Sequence, residues 1–200
     1  NTIVDKYNDF QAYLLRAENL AKVGEIEMAL DDLQKAKNMQ PDNSDILITE
    51  SEIYRLGNQQ QKAVETMENA LKLEPDSETV INRAAEMYLA LADQNYKYEL
   101  KAKNIINNGL EKWPSSAKLK LLKAGLLLQD NSKTADNQAQ EILEQIVNSG
   151  NDIKTAWIYL GEIALKNNNP EKAIDLALKG LKTAPNDSDL LLLKARAESS

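Results

Sequence analysis

Cysteine and histidine are both absent from the 200 residues. That excludes zinc sites of the Cys/His kind, thiol chemistry and every nucleophile activated by an imidazole. The 7 glycines and 5 prolines are too few for a turn-rich β protein. Aromatics are sparse, and Ala, Leu, Lys, Glu, Gln and Asn dominate, which is a helical composition. No run approaches 18 apolar residues, so no membrane span is expected. Basic residues are outnumbered 24 to 31, a net charge of −7. Nucleic acid is therefore not an expected partner, because phosphate neutralisation needs clustered Lys and Arg. With 42% hydrophobic and 28% charged residues the chain has the balance of a folded protein. It begins at Asn1 rather than Met, as it would after removal of a signal peptide or of further residues. An Asn- and Lys-rich style suggests a bacterial source. Lack of cysteine suits export, but cytosolic chains share it, so bacterial cytoplasm and periplasm both stay open.

What is present is helical periodicity interrupted by short polar breaks: "QPDNSD", "EPDSE", "WPSS", "SGND" and "APNDSD". Each joins a Pro or Gly stop to an Asp or Ser able to cap the next helix. About ten full helices are predicted, with partial ones at the ends. The breaks fall at Pro41, Pro75, Pro114, Asn151 and Pro185, at spacings of 34, 39, 37 and 34. Twelve residues before each stands Ala29, Ala63, Ala102, Ala139 or Ala173. Five residues before each stand Ala36, Ala70, Gly109, Ile146 and Gly180. A third series, Ala17, Ser51, Ala85, Ala124, Gly161 and Ala195, keeps the same register. Two helices approach to about 8 Å only where small side chains face each other. One such hairpin cannot cover its own apolar face, whereas stacked neighbours can.

These units resemble tetratricopeptide repeats. The fifth carries Trp157, Leu160, Gly161, Ala173, Gly180 and Pro185; the first carries Ala17, Gly24, Ala29, Ala36 and Pro41; the second carries Tyr54, Ala63, Ala70 and Pro75. The resemblance implies an all-α, right-handed α-solenoid of helix-turn-helix repeats. Units are placed at 10–43, 44–77, 78–116, 117–153 and 154–187. Residues 1–9 close a preceding unit, with Tyr7 in the place of proline, and 188–200 open a further one. The chain is thus expected to be a segment of a longer array; a natural end whose leucines find cover is the alternative. Units three and four are longer between their small residue and their alanine. The extra residues are expected in the turns, near "ADQNYKYE" and "QDNSKTAD".

Glycines lie too far apart for a phosphate loop. "DNSD" at Asp42–Asp45 is followed by apolar residues where a calcium loop needs oxygen ligands, so it is read as a helix cap. No enzyme activity, metal or cofactor is expected. By resemblance, the first helix of each unit lines a concave face that binds peptides or partner segments. The residue after the small one, and the one four before it, give Leu14/Glu18, Ile48/Glu52, Asn82/Glu86, Leu121/Gly125 and Ile158/Glu162. Each pair is spaced i, i+4 and shares one helical face. An apolar track beside an acidic one suits an extended basic and apolar segment of a protein partner. Equally, the glutamates could be ordinary helix formers paired with Lys and Arg on neighbours. Relatives that clamp a C-terminal carboxylate do so with Lys and Asn. The matching positions here are Leu14, Glu18, Thr49, Thr79 and Arg83, of which only Arg83 fits, so a clamp is not expected. Tyr96 and Tyr98 are read as packing back on adjacent helices, with a contact site as the alternative. Trp157 is assigned to the core, and Trp113 to shielding a unit junction. Leu190, Leu191, Leu192 and Leu193 cover most of a helix circumference and form a possible self-association surface. The competing function is therefore a structural spacer or self-assembly element.

Overall fold

The computed structural model describes residues 9–93, 95–130, 132–150 and 153–200, so Tyr7 and Asn151 lie outside the described residues. Eleven helices follow one another among the described residues: α1 (Phe10–Lys22), α2 (Ile26–Met39), α3 (Ser44–Leu56), α4 (Gln60–Leu73), α5 (Glu78–Ala92), α6 (Tyr96–Lys112), α7 (Ala117–Gln129), α8 (Lys133–Asn148), α9 (Lys154–Lys166), α10 (Pro170–Leu181) and α11 (Ser188–Glu198). They fall into two compact units, Asn1–Ile105 and Ile106–Ser200, with the boundary inside α6.

Local chemistry sets the helix ends. Side chains of Asp9, Asn43, Ser77, Ser116, Ser132, Asn169 and Asp187 accept a backbone N–H in the first turn of α1, α3, α5, α7, α8, α10 and α11. "DNSD" is accordingly a cap, through Asn43 on the Asp45 N–H at 2.8 Å. Gln40 and Glu74, each preceding a proline, leave the helical region at φ −140° and −132°. Three hairpin turns share one geometry. Gly24, Asn58 and Asn168 take positive φ (90°, 57° and 54°), and the next residue donates its N–H back to the last turn of the preceding helix. Those bonds are Glu25 to Leu20 (2.9 Å), Gln59 to Tyr54 (2.8 Å) and Asn169 to Ala164 (2.9 Å).

The small-residue series lies at the helix contacts. Ala29, Ala63, Ala102, Ala139 and Ala173 are all 0% exposed, as are Ala17, Ser51, Ala85 and Ala124. At one contact the Ser51 hydroxyl donates to the Ala63 carbonyl at 2.7 Å. Ala195 is exposed.

The expected turn insertions are not found. In the third hairpin, α5 and α6 are 15 and 17 residues long, against 13 and 14 for α3 and α4. In the fourth, α8 alone is lengthened, to 16 residues. The additional residues extend helices and leave the separation between paired helices unchanged at three residues. Helix absorbs them because added turns keep their backbone groups hydrogen-bonded.

In the N-terminal unit, one cluster joins Phe10 and Leu14 of α1 to Leu33 of α2 and Ile46 and Ile53 of α3. A second joins Ile48 of α3 to Met67 of α4, Val80, Met87 and Leu91 of α5, and Ala102 of α6. Helix α3 thus serves two layers. Tyr98 stacks on buried Tyr88 at 6.3 Å, while Tyr96 is exposed. Burial pushes the Tyr88 hydroxyl up to about 12, helped by Glu68 and by Tyr98. Asp32, buried on α2, accepts from Arg16 of α1 and from Lys35. In the C-terminal unit one core unites Leu121 and Ala124 (α7), Leu143 and Ile146 (α8), Leu160 and Ile163 (α9), Leu176 (α10) and Ala197 (α11). Trp157 is half-buried against it.

Candidate functional site

Helices α1, α3 and α5 of the N-terminal unit each turn one face toward an open groove of about 320 Å³. Its wall is Gln11, Leu14, Leu15 and Glu18 from α1, Asp45, Ile48 and Thr49 from α3, and Thr79 and Arg83 from α5. Three of the sequence-predicted residues, Leu14, Glu18 and Ile48, are brought together here. Glu52, Asn82 and Glu86 of the same helices do not line it. Leu14 and Ile48 are buried and form a floor, whereas Leu15 is 45% exposed. Gln11, Leu15 and Asp45 were not among the predicted residues. The signal for them is a second i, i+4 series, six and two residues before the small one: Gln11/Leu15, Asp45/Thr49 and Thr79/Arg83.

The glutamates divide by partner. Glu52 is held in a two-pronged pair by Arg55, at 2.6 and 2.7 Å. Those bonds raise the arginine's pKa. Glu86 lies 3.4 Å from Arg83. Glu18 has no hydrogen-bonding or charged partner among the described residues and is half-buried at the groove wall. The half-buried Asn82 keeps its amide oxygen out of solvent with no donor among the described residues.

In the C-terminal unit Leu121 is a core residue, Ile158 is half-buried, and Gly125 faces the Tyr159 ring. Glu162 is paired with Arg196, Nη2 to Oε2 at 3.0 Å. A second cavity, of about 430 Å³, is lined by Leu128, Asp136, Glu162, Ile163, Leu165, Lys166 and Arg196. The four leucines of α11 separate. Leu190 and Leu193 are buried at 0% and 1%, and Leu191 and Leu192 are exposed at 47% and 58%. A methyl placed on Gly180 would meet Leu190 Cδ2 at 2.7 Å, and one on Gly161 would collide with Leu193. Leu190 and Leu193 fill those notches, and of the four leucines Leu191 and Leu192 stay exposed. Among the described residues no three potential metal ligands gather, and no helix is long and apolar enough to cross a membrane.

Residues 154–197 match a family model described as the tetratricopeptide repeat. The chain carries a tetratricopeptide repeat in these residues. Its fold is that of solved tetratricopeptide structures. A thermophilic TPR protein in Thermus thermophilus aligns with 20% identity and a TM-score of 0.76, over 96% of this chain and all of that one. Yeast Tom70 aligns with 21% identity and a TM-score of 0.79, over 96% of this chain and 40% of that one. YrrB, described as a TPR protein with an unusual peptide-binding site, aligns with 16% identity and a TM-score of 0.57, over 97% of this chain and 96% of that one. No curated protein matches this chain in sequence.

Proposed function

We propose that this chain is a protein-interaction scaffold whose α1/α3/α5 groove receives an extended segment of a partner. The carrying observation is the convergence of three successive first helices on one open groove with an apolar floor and an acid, Glu18, that has no partner among the described residues. Leu14, Leu15 and Ile48 suit an aliphatic side chain, and Glu18 with Asp45 suits a neighbouring Lys or Arg. Rungs about 10 Å apart match every third residue of an extended chain at about 3.3 Å per residue. The structural likeness to a TPR protein with a peptide-binding site supports the reading. The test is selection of random peptides on the immobilised protein, then Kd measurement on Gln11→Trp/Thr79→Trp, two exposed positions that fill the groove. Enriched peptides carry a basic residue next to an aliphatic one and bind the variant at least about tenfold more weakly, a loss of about 1.4 kcal/mol. Peptides that bind both proteins equally would overturn the groove assignment.

A second reading, self-assembly, has its own observation in the exposed pair Leu191 and Leu192 on α11.

A further inference from the structure

Sulfur chemistry in this chain rests on methionine alone, because cysteine is absent. The 4 methionines stand in two opposite settings. Met67 of α4 and Met87 of α5 are buried, and the Met87 sulfur accepts from the Ser51 hydroxyl at 3.1 Å. Met28 and Met39 both lie on α2 and are 53% and 47% exposed. Exposure governs which thioethers an oxidant reaches, so the pair on α2 is open and the pair in the core is shielded. Between Met28 and Met39, exposure makes no choice.

Their surroundings separate them. Met28 borders an open pocket of about 180 Å³ whose other walls are Arg16 and Leu20 of α1 and Asp31, Asp32 and Lys35 of α2. Met39 is not among those walls. Met28 and Lys35 stand seven residues apart, two turns along one face of the helix. Arg16 has its guanidinium fork on Asp32, with Nε on one carboxylate oxygen and the second nitrogen 2.6 Å from the other. The Lys35 ammonium gives Asp32 Oδ1 one hydrogen bond, at 3.1 Å, and sits 5.4 Å from the centre of the Tyr13 ring. An ammonium carries three N–H donors, and half of the Lys35 side chain is in solvent. Lys35 thus brings spare donors to the opening that Met28 borders. A water molecule takes about 30 Å³ of liquid, so hydrogen peroxide, little larger, fits the pocket. No wall residue is shared with the α1/α3/α5 groove.

We infer that Met28 is an oxidation site, at which Lys35 assists oxygen transfer from hydrogen peroxide. The Met28 sulfur attacks one peroxide oxygen with its lone pair. The S–O bond forms as the O–O bond breaks, so the sulfur is oxidised by two electrons and the peroxide reduced by two. The departing hydroxide takes a proton from the Lys35 ammonium and leaves as water. The hydroxysulfonium left behind returns a proton to the Lys35 amine and becomes the sulfoxide, whose oxygen then accepts from Lys35. The product makes an apolar side chain polar beside Leu20, and a methionine sulfoxide reductase reverses the change.

The test exposes the full, folded chain to hydrogen peroxide and follows oxygen uptake at each methionine by peptide mass mapping. Met28 is oxidised at least about threefold faster than Met39, the smaller end of what one hydrogen bond made in the transition state gives. Met67 and Met87 react last. Lys35→Ala lowers the Met28 rate to that of Met39. If Lys35→Ala reduces helix content, Lys35→Leu takes its place with the same expected loss. Met39 in the same protein is the internal standard: a substitution that merely loosened α2 would raise both rates, whereas loss of the donor lowers Met28 alone. Equal rates at Met28 and Met39 in the unsubstituted protein, or a Met28 rate that the Lys35 substitution leaves unchanged or raises, overturns the site.

Discussion

Asp32 shows how one residue ties a hairpin together at the chemical level. Burial alone would raise its pKa, but the hydrogen bonds and charges of Arg16 and Lys35 outweigh that effect and hold the carboxyl below its usual range. The folded-state pKa is therefore depressed. Its stabilising contribution is complete above the unfolded value of about 3.9 and disappears as the pH falls through the folded value. Asp32→Asn is expected to cost about 2 kcal/mol at pH 7, because Arg16 loses its charged partner. Urea denaturation of both proteins should show the gap narrowing below about pH 4, where protonated Asp32 resembles Asn. A gap independent of pH would mean that packing, not charge, sets the difference.

Between elements, the small residues decide how closely helices approach. Gly161 and Gly180 receive the buried leucines of α11 as knobs. Gly161→Ala should therefore be destabilising, since overpacking costs about 1–3 kcal/mol and better helix propensity returns only about 1 kcal/mol. With Leu193→Ala the notch is empty, and the same change should become stabilising by up to about 1 kcal/mol. A four-protein denaturation cycle reads the sign directly. The same sign in both backgrounds would contradict the docking of Leu193 on Gly161. The third and fourth hairpins add a related lesson. Spacing counts the residues between two packed positions without saying whether helix or turn holds them. Here helices α5, α6 and α8 took them.

For the whole molecule, exposed Leu191 and Leu192 bear on whether the chain works alone or in copies. Under the self-assembly reading, light scattering behind size exclusion should give a mass that rises with protein concentration. Leu191→Glu/Leu192→Glu should return it to the monomer with helix content unchanged. Leu193→Glu is the wrong probe, because it drives a charge into the Gly161 notch. A monomer at every concentration, before and after the double substitution, would remove this reading and leave the scaffold.

The repeat register could be read from the residues themselves. Ala29, Ala63, Ala102, Ala139 and Ala173 had to be small wherever two helices approach, and that constraint returns with every hairpin. Capping was legible for the same reason, since Asn43, Ser77 and Ser116 act on backbone within three residues of themselves. Leu14, Glu18 and Ile48 could be placed on one face by the helical period, but not their separation from Glu52 and Glu86, which depends on how neighbouring helices rotate against each other. Gln11, Leu15 and Asp45 join the groove through that rotation. The link between Asp136 and Lys166 had no signature at all, because the two sit at opposite ends of consecutive helices, far apart along the chain. The split of the leucines on α11 was likewise decided by the notches at Gly161 and Gly180. Local periodicity and backbone chemistry are written along the chain, whereas the partner of a buried charge is set only when distant helices meet.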